Sequence, residues 1–270
     1  MTSTLRKVAV ISAVLGCWAS AHANYVTTTN GTMTTFYGDR NDGSINGPSG
    51  DVSKAHTAFL SLIDVAGTES FSSLTGTQPF TSAGLGATIG CLRKGDGDVV
   101  PDLATCQLAS GASSGRYDTT GTAVGAYLVN NQNMKGDSST ADTGAIVVTF
   151  DSAVHAFGFF GTDIGDFGGT FSIVLTDVQG NQTTLDLVSG AALDNSSLLF
   201  FGFVDSKNSY KSVMFTNLYP PTQANDGFGL DDFVVGTLAD VPPNPTPEPL
   251  TALLVLAGLG AAGAARRARR

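Results

Sequence analysis

The chain has 270 residues, of which 14% are charged and 33 are glycine. Six of its 14 basic residues lie in the two ends, so residues 24–265 carry 8 basic against 23 acidic residues, a net charge of −15. A surface this negative repels phosphate backbones and anionic headgroups, which argues against nucleic acid as a partner. The wealth of glycine and small polar residues favours strands joined by turns over long helices.

The first 23 residues have the three parts of a secretory signal peptide. A basic pair precedes the apolar run Val8 to Trp18, and Ala21 and Ala23 form a small-x-small cleavage site. The mature chain is therefore predicted to begin at Asn24. The tripeptide that ends at Cys17 also resembles part of a lipoprotein box, with Cys17 as the lipidated residue. Both alternatives export the protein.

The later half of the chain alternates apolar and polar residues between Gly, Asp and Asn turns, a pattern typical of strands. Seven strands are predicted there, at Ala145–Phe150, Val154–Phe160, Thr170–Leu175, Thr183–Val188, Leu198–Val204, Tyr210–Phe215 and Gly227–Val235. Earlier candidates are Thr32–Tyr37, Ala58–Val65, Glu69–Leu74 and Leu85–Gly90, with loops at Asp39–Asp51 and Ser110–Arg116.

These segments predict an all-β protein with a single antiparallel β-sandwich of jelly-roll type over residues 24–240. Nothing between those bounds resembles a linker. The alternative is a small N-terminal piece followed by a sandwich that begins near residue 144.

Two cysteines remain in the mature chain, Cys91 and Cys106, with 14 residues between them. In an oxidising compartment such a pair predicts one disulfide. The enclosed loop has about the length for which closure stabilises a fold by about 3 kcal/mol.

Two predicted strands are rich in phenylalanine and glycine: 157–161 (Phe-Gly-Phe-Phe-Gly) and 200–203 (Phe-Phe-Gly-Phe). Aromatic stripes of this kind are either core or platforms for sugar rings, and core is the favoured interpretation. The glycines indicate places where a larger side chain would crowd a neighbour.

The last predicted strand contains Asp231 and Asp232. Strict alternation places Asp232 on one face with Phe228, Leu230 and Val234, where a bare carboxylate is costly. Asp232 therefore needs a partner, which is either a cation or the backbone amides of a neighbouring turn.

No catalytic constellation emerges from the sequence. Residues 111–115 match the G-x-S-x-G pattern of a hydrolase, with Ser113 as nucleophile and His155 as the available base. The pattern requires a buried strand before the serine and a helix after it, and neither is predicted. The protein is expected not to be an enzyme, with a secreted hydrolase as the remote alternative.

The C-terminus combines three features in order. Residues 241–249 form a proline-rich spacer that ends in Pro247, Glu248 and Pro249, and an uncharged 16-residue segment follows at 250–265. As a helix that segment would span about 24 Å, short of the ~30 Å hydrocarbon core of a bilayer. Four arginines close the chain within a predicted cytoplasmic tail, 266–270: Arg266, Arg267, Arg269 and Arg270.

This C-terminal order resembles the PEP-CTERM sorting signal of Gram-negative bacteria, which is also catalogued at the C-terminus of ice-binding proteins. The resemblance implies Sec-dependent export, a transient inner-membrane anchor, and processing by exosortase near the Pro-Glu-Pro box. It also implies delivery to the cell surface or an exopolysaccharide matrix. The alternative is an ordinary tail anchor that is never processed.

The body, and its closing strand above all, resembles the ectodomains of PEP-CTERM proteins and, more loosely, carbohydrate-binding jelly rolls. That second resemblance implies a structural Ca²⁺ ligated by Asp232, with Asp231 beside it. The expected function is therefore a structural or adhesive matrix protein. The alternative is a lectin-like, carbohydrate-binding module, stabilised by calcium if that ion is bound.

Overall fold

The structure of the protein is a computed structural model that describes residues 25–74, 79–94, 99–101, 106–119, 125–130, 145–166, 169–189, 192–218 and 227–239. The chain divides into two compact units, Met1–Leu238 and Ala239–Arg270, and every described element belongs to the first. The predicted signal peptide, proline-rich spacer, apolar segment and arginine cluster lie outside the described residues.

The described part of the chain forms one helix and fifteen strands. Their bounds are β1 Tyr25–Asn30, β2 Met33–Arg40, α1 Gly50–Leu60, β3 Ile63–Glu69, β4 Phe80–Ser82, β5 Ala87–Lys94, β6 Val99–Pro101, β7 Cys106–Ser110, β8 Ala126–Asn130, β9 Ala145–Val154, β10 Ala156–Thr162, β11 Thr170–Asp177, β12 Gln182–Ser189, β13 Leu198–Asp205, β14 Tyr210–Leu218 and β15 Phe228–Leu238.

The strands form two antiparallel sheets. Sheet A has the order β1-β2-β13-β10-β15-β8-β7, with β3 paired to the later part of β15. Sheet B has the order β12-β11-β14-β9-β5-β4, with β6 paired to the end of β5. The predicted all-β sandwich is confirmed.

Strands β8 to β15 follow the strand order of a jelly roll. In sheet A they stand as β8-β15-β10-β13, and in sheet B as β9-β14-β11-β12. Among β8 to β15, only β11 and β12 are consecutive strands within one sheet, so every other connection in this set crosses between the sheets. The crossing from β9 to β10 takes a single residue, His155.

Strands from the first half of the chain extend both sheets by direct pairing. In sheet A, β2 pairs with β13 and β3 with β15, while in sheet B β5 pairs with β9. The two halves therefore share one sandwich, and the alternative of a separate N-terminal piece is not supported.

The prediction was wrong in part between residues 50 and 74. A helix, α1, occupies Gly50–Leu60, where the end of a loop and the start of the strand Ala58–Val65 were expected. That strand is present only from Ile63, in β3, and the segment after Glu69 is a turn where a further strand was expected. The buried residues of α1 are Val52, Ala55 and Phe59, a helical spacing that a reading for alternation overlooks.

Two layers of core result. The main core lies between the sheets, and a second apolar cluster lies between α1 and the outer face of sheet A, centred on Phe36, Phe59 and Phe200. Glycines make room for the helix, because a Cβ at Gly202 would lie 2.7 Å from Phe59 Cδ2 and one at Gly38 would lie 2.3 Å from the Asp51 carbonyl oxygen.

Candidate functional site

The sequence predicted that Asp232 is the buried aspartate of the last strand, but the buried one is its neighbour, Asp231. Strand β15 carries an extra residue relative to β10, and Asp232 at this bulge has a φ of +47°. The bulge reverses the alternation, so Phe233 joins Phe228 and Leu230 in the main core while Val234 faces the second cluster. The buried carboxylate is that of Asp231, which is 1% exposed.

Backbone and hydroxyl donors hold the Asp231 carboxylate. Its Oδ2 accepts hydrogen bonds from Thr119 N at 2.7 Å and Thr119 Oγ1 at 2.9 Å, and its Oδ1 accepts from Asp232 N at 2.8 Å. Burial, followed by the charge of Asp232, raises the pKa of Asp231 to about 8. A hydrogen bond with Asp118 contributes to this rise in pKa, so the three carboxyls and Thr119 form one cluster.

The alternative to calcium was that backbone amides satisfy Asp232, but the amides of Thr119 and Asp232 donate to Asp231, and Asp232 Oδ2 is 3.0 Å from Thr119 Oγ1. Within the described ranges, no group of three or more His, Cys, Asp or Glu has the arrangement of a metal site. The calcium site at Asp231 and Asp232 therefore stays a prediction, and no further step is built on it.

The phenylalanines of the two aromatic strands are core, as favoured from the sequence. Phe157, Phe159, Phe200, Phe201 and Phe203 are each at most 1% exposed. Within sheet A the Phe159 ring packs tilted against Phe157 and Phe201, and across the sandwich it packs edge to face against Phe215 of sheet B. Phe200 packs in the second cluster instead. These phenylalanines are not available as platforms for sugar rings.

The serine of the hydrolase pattern lies in a different setting from a nucleophile elbow. Ser113 is exposed in a turn closed by paired backbone hydrogen bonds with Arg116. No helix follows it in residues 114–119. His155 lies at the corner between β9 and β10, where its Nδ1 is 3.1 Å from the carbonyl oxygen of Asp205.

Cys91 is buried in β5 and is disulfide-bonded. Cys106 begins β7, but its side chain lies outside the described residues, so the pairing of these two cysteines stays a prediction. Since β5 belongs to sheet B and β7 to sheet A, such a bond would link the two sheets.

The outer face of sheet B carries side chains in rows that run across the strands. One row, called the hydroxyl row, places one hydroxyl on each of five adjacent strands, in register: Thr176, Ser212, Thr149, Thr88 and Thr81. The next row, called the aliphatic row, is Val174, Met214 and Val147, in register between Thr184 and Gly90.

Both rows reach solvent and neither contains a charged side chain. Thr149, Thr81 and Thr184 are exposed, and the other members of the rows are half-buried. A third row beyond the aliphatic row is more deeply buried, since Ser172 is 3% and Ala145 is 9% exposed. In a body with a net charge of −15, two adjacent uncharged rows are a distinct surface, although exposed Asp186 of β12 lies on the same face in the third row, beside Ser172.

Sequence reasoning did not identify this face. The alternation in each strand predicts which residues point outward, but it does not predict which strands become neighbours. A search for threonine or serine at the outward positions of several strands would have found the members of the hydroxyl row. It would not have shown that they lie side by side, because that depends on the order of the strands in sheet B.

No protein-family model matches this chain, and a search of the curated proteins finds no match. The CBM22-1 xylan-binding domain of Paenibacillus barcinonensis Xyn10C is similar with a TM-score of 0.35 and 11% identity, over 66% of this chain and 96% of that domain. A mutant of CBM29-2 in complex with mannohexaose is similar with a TM-score of 0.30 and 14% identity, over 56% of this chain and 92% of that module.

The enzymatically active domain of bacteriophage CBA120 tailspike protein 4 is similar with a TM-score of 0.33 and 13% identity, over 55% of this chain and 19% of that one. At these TM-scores the likeness carries no argument about function.

No helix in the described ranges combines the length and the apolar character that a membrane crossing requires.

Proposed function

We propose that this protein is an exported component of the cell surface or exopolysaccharide matrix that adheres to uncharged polysaccharide through the outer face of sheet B. The observation that supports this function is the pairing of the hydroxyl row with the aliphatic row, in register and free of charge. The proposal includes no catalytic activity.

The two rows suit the two kinds of surface on a sugar chain. Neighbouring strands lie about 4.8 Å apart, so the hydroxyl row offers a donor and an acceptor at that interval across the sheet. The aliphatic row offers an apolar strip on which the C–H face of a sugar ring can pack. An uncharged strip on an acidic body favours a neutral chain over an anionic one.

The test is a charge placed in the middle of the hydroxyl row. Thr149→Glu introduces a longer, charged side chain at an exposed strand position, so the fold should persist while that side chain obstructs the packing of a sugar chain across the two rows. We expect retention on neutral polysaccharide, measured by affinity electrophoresis or pull-down, to fall about tenfold, which corresponds to about 1.4 kcal/mol.

Thr29→Glu is the matched control, because Thr29 is an exposed threonine on β1 of the other sheet. Retention of this variant should equal that of the wild type. If Thr149→Glu binds as well as Thr29→Glu, the outer face of sheet B is not the binding surface.

The route to the matrix is proposed from the two ends of the sequence. The signal peptide supports Sec-dependent export with cleavage between Ala23 and Asn24, and the resemblance to the PEP-CTERM signal supports processing by exosortase near Glu248. Mass spectrometry of the surface form should show a chain that begins at Asn24 and lacks Arg270. A surface form that retains Arg270 would instead indicate a plain tail anchor.

A further inference from the structure

A cleft of about 350 Å³ opens between the edges of the two sheets. The β1–β2 hairpin of sheet A forms one wall, and β12 of sheet B forms the other. None of its lining residues belongs to the hydroxyl row or the aliphatic row. Its volume lies at the lower end of the range for small-molecule sites, which suits one or two rings better than a long chain.

The walls of the cleft are polar at positions that face the interior of the sandwich. Leu185 lies opposite Ile173 of the core, and Thr183, two residues earlier on β12, points the same way. On sheet A, Thr35 lies on the same inward face of β2 as the partly buried Met33, and Thr28 is its cross-strand partner. These three threonines are half-buried at the open edge of the sandwich. The Thr35 hydroxyl donates to the Thr28 carbonyl oxygen at 3.3 Å, which leaves its oxygen free to accept a hydrogen bond from a ligand.

The inner end of the cleft is held by a network around Asp205, which is 1% exposed. Its Oδ2 accepts hydrogen bonds from the Tyr210 hydroxyl at 2.9 Å and from Asn208 Nδ2 at 3.0 Å. Asn208 Nδ2 also contacts Thr32 Oγ1 at 3.4 Å, and Ser206 N donates to the Thr32 carbonyl oxygen at 2.9 Å. These bonds fix the hairpin turn to the base of the cleft, so the site is preformed.

The lining determines the charge of the ligand. No lysine, arginine or histidine is among the residues that line the cleft, while the Asp205 carboxylate lies at its inner end. Asp186 also lines the cleft, but its carboxylate accepts a hydrogen bond from Ser172 Oγ on the outer face of sheet B. A phosphate, sulfate or carboxylate ligand would therefore meet repulsion without a counter-charge. Met33, Leu185 and Phe201 supply an apolar floor, and the threonine hydroxyls supply hydrogen bonds above it.

We infer that the cleft is a second binding site, for a neutral, cyclic, polyhydroxylated small molecule of the size of a mono- or disaccharide. The apolar face of the ring packs on the floor, and its hydroxyls bond to Thr28, Thr35 and Thr183. This inference stands apart from the polysaccharide proposal, because it uses different residues on a different surface of the sandwich.

The test is saturation-transfer NMR and calorimetry on the mature protein, with D-glucose, D-galactose, D-mannose and their disaccharides as probes. We expect saturable binding of at least one neutral probe and at least tenfold weaker binding of glucuronate. Thr28→Val and Thr183→Val keep the side-chain shape and remove the hydroxyl, so each should weaken binding about tenfold. Thr149→Val, in the hydroxyl row, should bind these small probes as the wild type does.

Three outcomes would overturn the inference: no saturable binding of any neutral probe, equal binding of glucuronate, or unchanged binding by Thr183→Val in a folded protein. The two proposals fail separately. Loss of polysaccharide retention in Thr149→Glu with normal small-sugar binding supports only the outer face, and the converse result supports only the cleft.

Discussion

The Asp205 side chain stabilises the corner of the sandwich where β13 ends and β14 begins. Burial opposes its ionisation, but hydrogen bonds from the amides of Asn208 and Lys207, together with the Asn208 side chain, outweigh burial and lower the pKa of Asp205 to about 2. The Tyr210 hydroxyl donates to the same carboxylate, and burial together with this bond raises the pKa of Tyr210. One ionised carboxylate thus orders a turn and an aromatic side chain.

Asp205 gives a pH dependence with a defined sign. Because its pKa is lower in the folded state than the ordinary 3.8, its contribution is present above pH 4 and is lost as the pH falls toward 2. The shift corresponds to about 2 kcal/mol. At pH 7, Asp205→Asn should have an unfolding free energy about that much lower than the wild type, measured by urea denaturation. When the pH falls from 4 to 2, the unfolding free energy of Asp205→Asn should decrease less than that of the wild type.

Asp151→Asn is the control for this measurement, because Asp151 is an exposed aspartate on β9. Its stability curve should parallel that of the wild type across the acid range. A parallel curve for Asp205→Asn would contradict the role given to this carboxylate.

Helix α1 is held on sheet A by shape as much as by apolar area. Val52, Ala55 and Phe59 are fully buried against the sheet, and the His56 ring lies 4.9 Å from the rings of both Phe160 and Phe200. Burial lowers the pKa of His56. Burying a side chain such as Phe59 stabilises the fold by roughly 1.5–3 kcal/mol, which exceeds the intrinsic preference of any residue for a helix.

Gly202 is the position at which this packing is most directly tested. A methyl group there would approach the Phe59 ring to 2.7 Å, so Gly202→Ala must displace the helix or the ring. Overpacking of this kind costs about 1–3 kcal/mol, which thermal or urea unfolding would measure.

Gly90→Ala is the matched control, since Gly90 also lies in a strand but has no atom within 4 Å of the added methyl. It should leave stability unchanged or raise it slightly, because alanine reduces the freedom of the unfolded chain. Equal effects of the two substitutions would mean that α1 does not pack on Gly202.

At the scale of the whole molecule, two sheets and a helix make three layers with very different surfaces. Helix α1 covers the part of the outer face of sheet A around β2 and β13. The outer face of sheet B presents the hydroxyl and aliphatic rows, and the open edge between the sheets holds the cleft. Binding to a long chain and to a single ring would therefore use separate parts of one sandwich.

The predicted disulfide belongs to this scale, because Cys91 and Cys106 stand in different sheets. Replacing both with alanine should lower the unfolding free energy by about 3 kcal/mol in the chain-entropy estimate for a loop of this length. Mass spectrometry of non-reduced peptides should find the two cysteines linked. Two free thiols in the exported protein would contradict the prediction.

The sequence determined the strands of the second half, because alternation and turn residues are local properties. It also indicated that the phenylalanine-rich strands are core. It missed α1, since three apolar residues at helical spacing lie among polar ones, and it misplaced Asp232, since a bulge is set by pairing with β10 rather than by β15 alone.

Only the tertiary structure decided where the candidate sites lie. The hydroxyl row collects one residue from each of five strands that are scattered from Thr81 to Ser212 in the sequence, and the cleft joins β1 and β2 to β12. Such neighbours are fixed by strand order, which depends on how the whole core packs. The predicted export and sorting signals are read from contiguous segments, and so the sequence alone suffices to propose them.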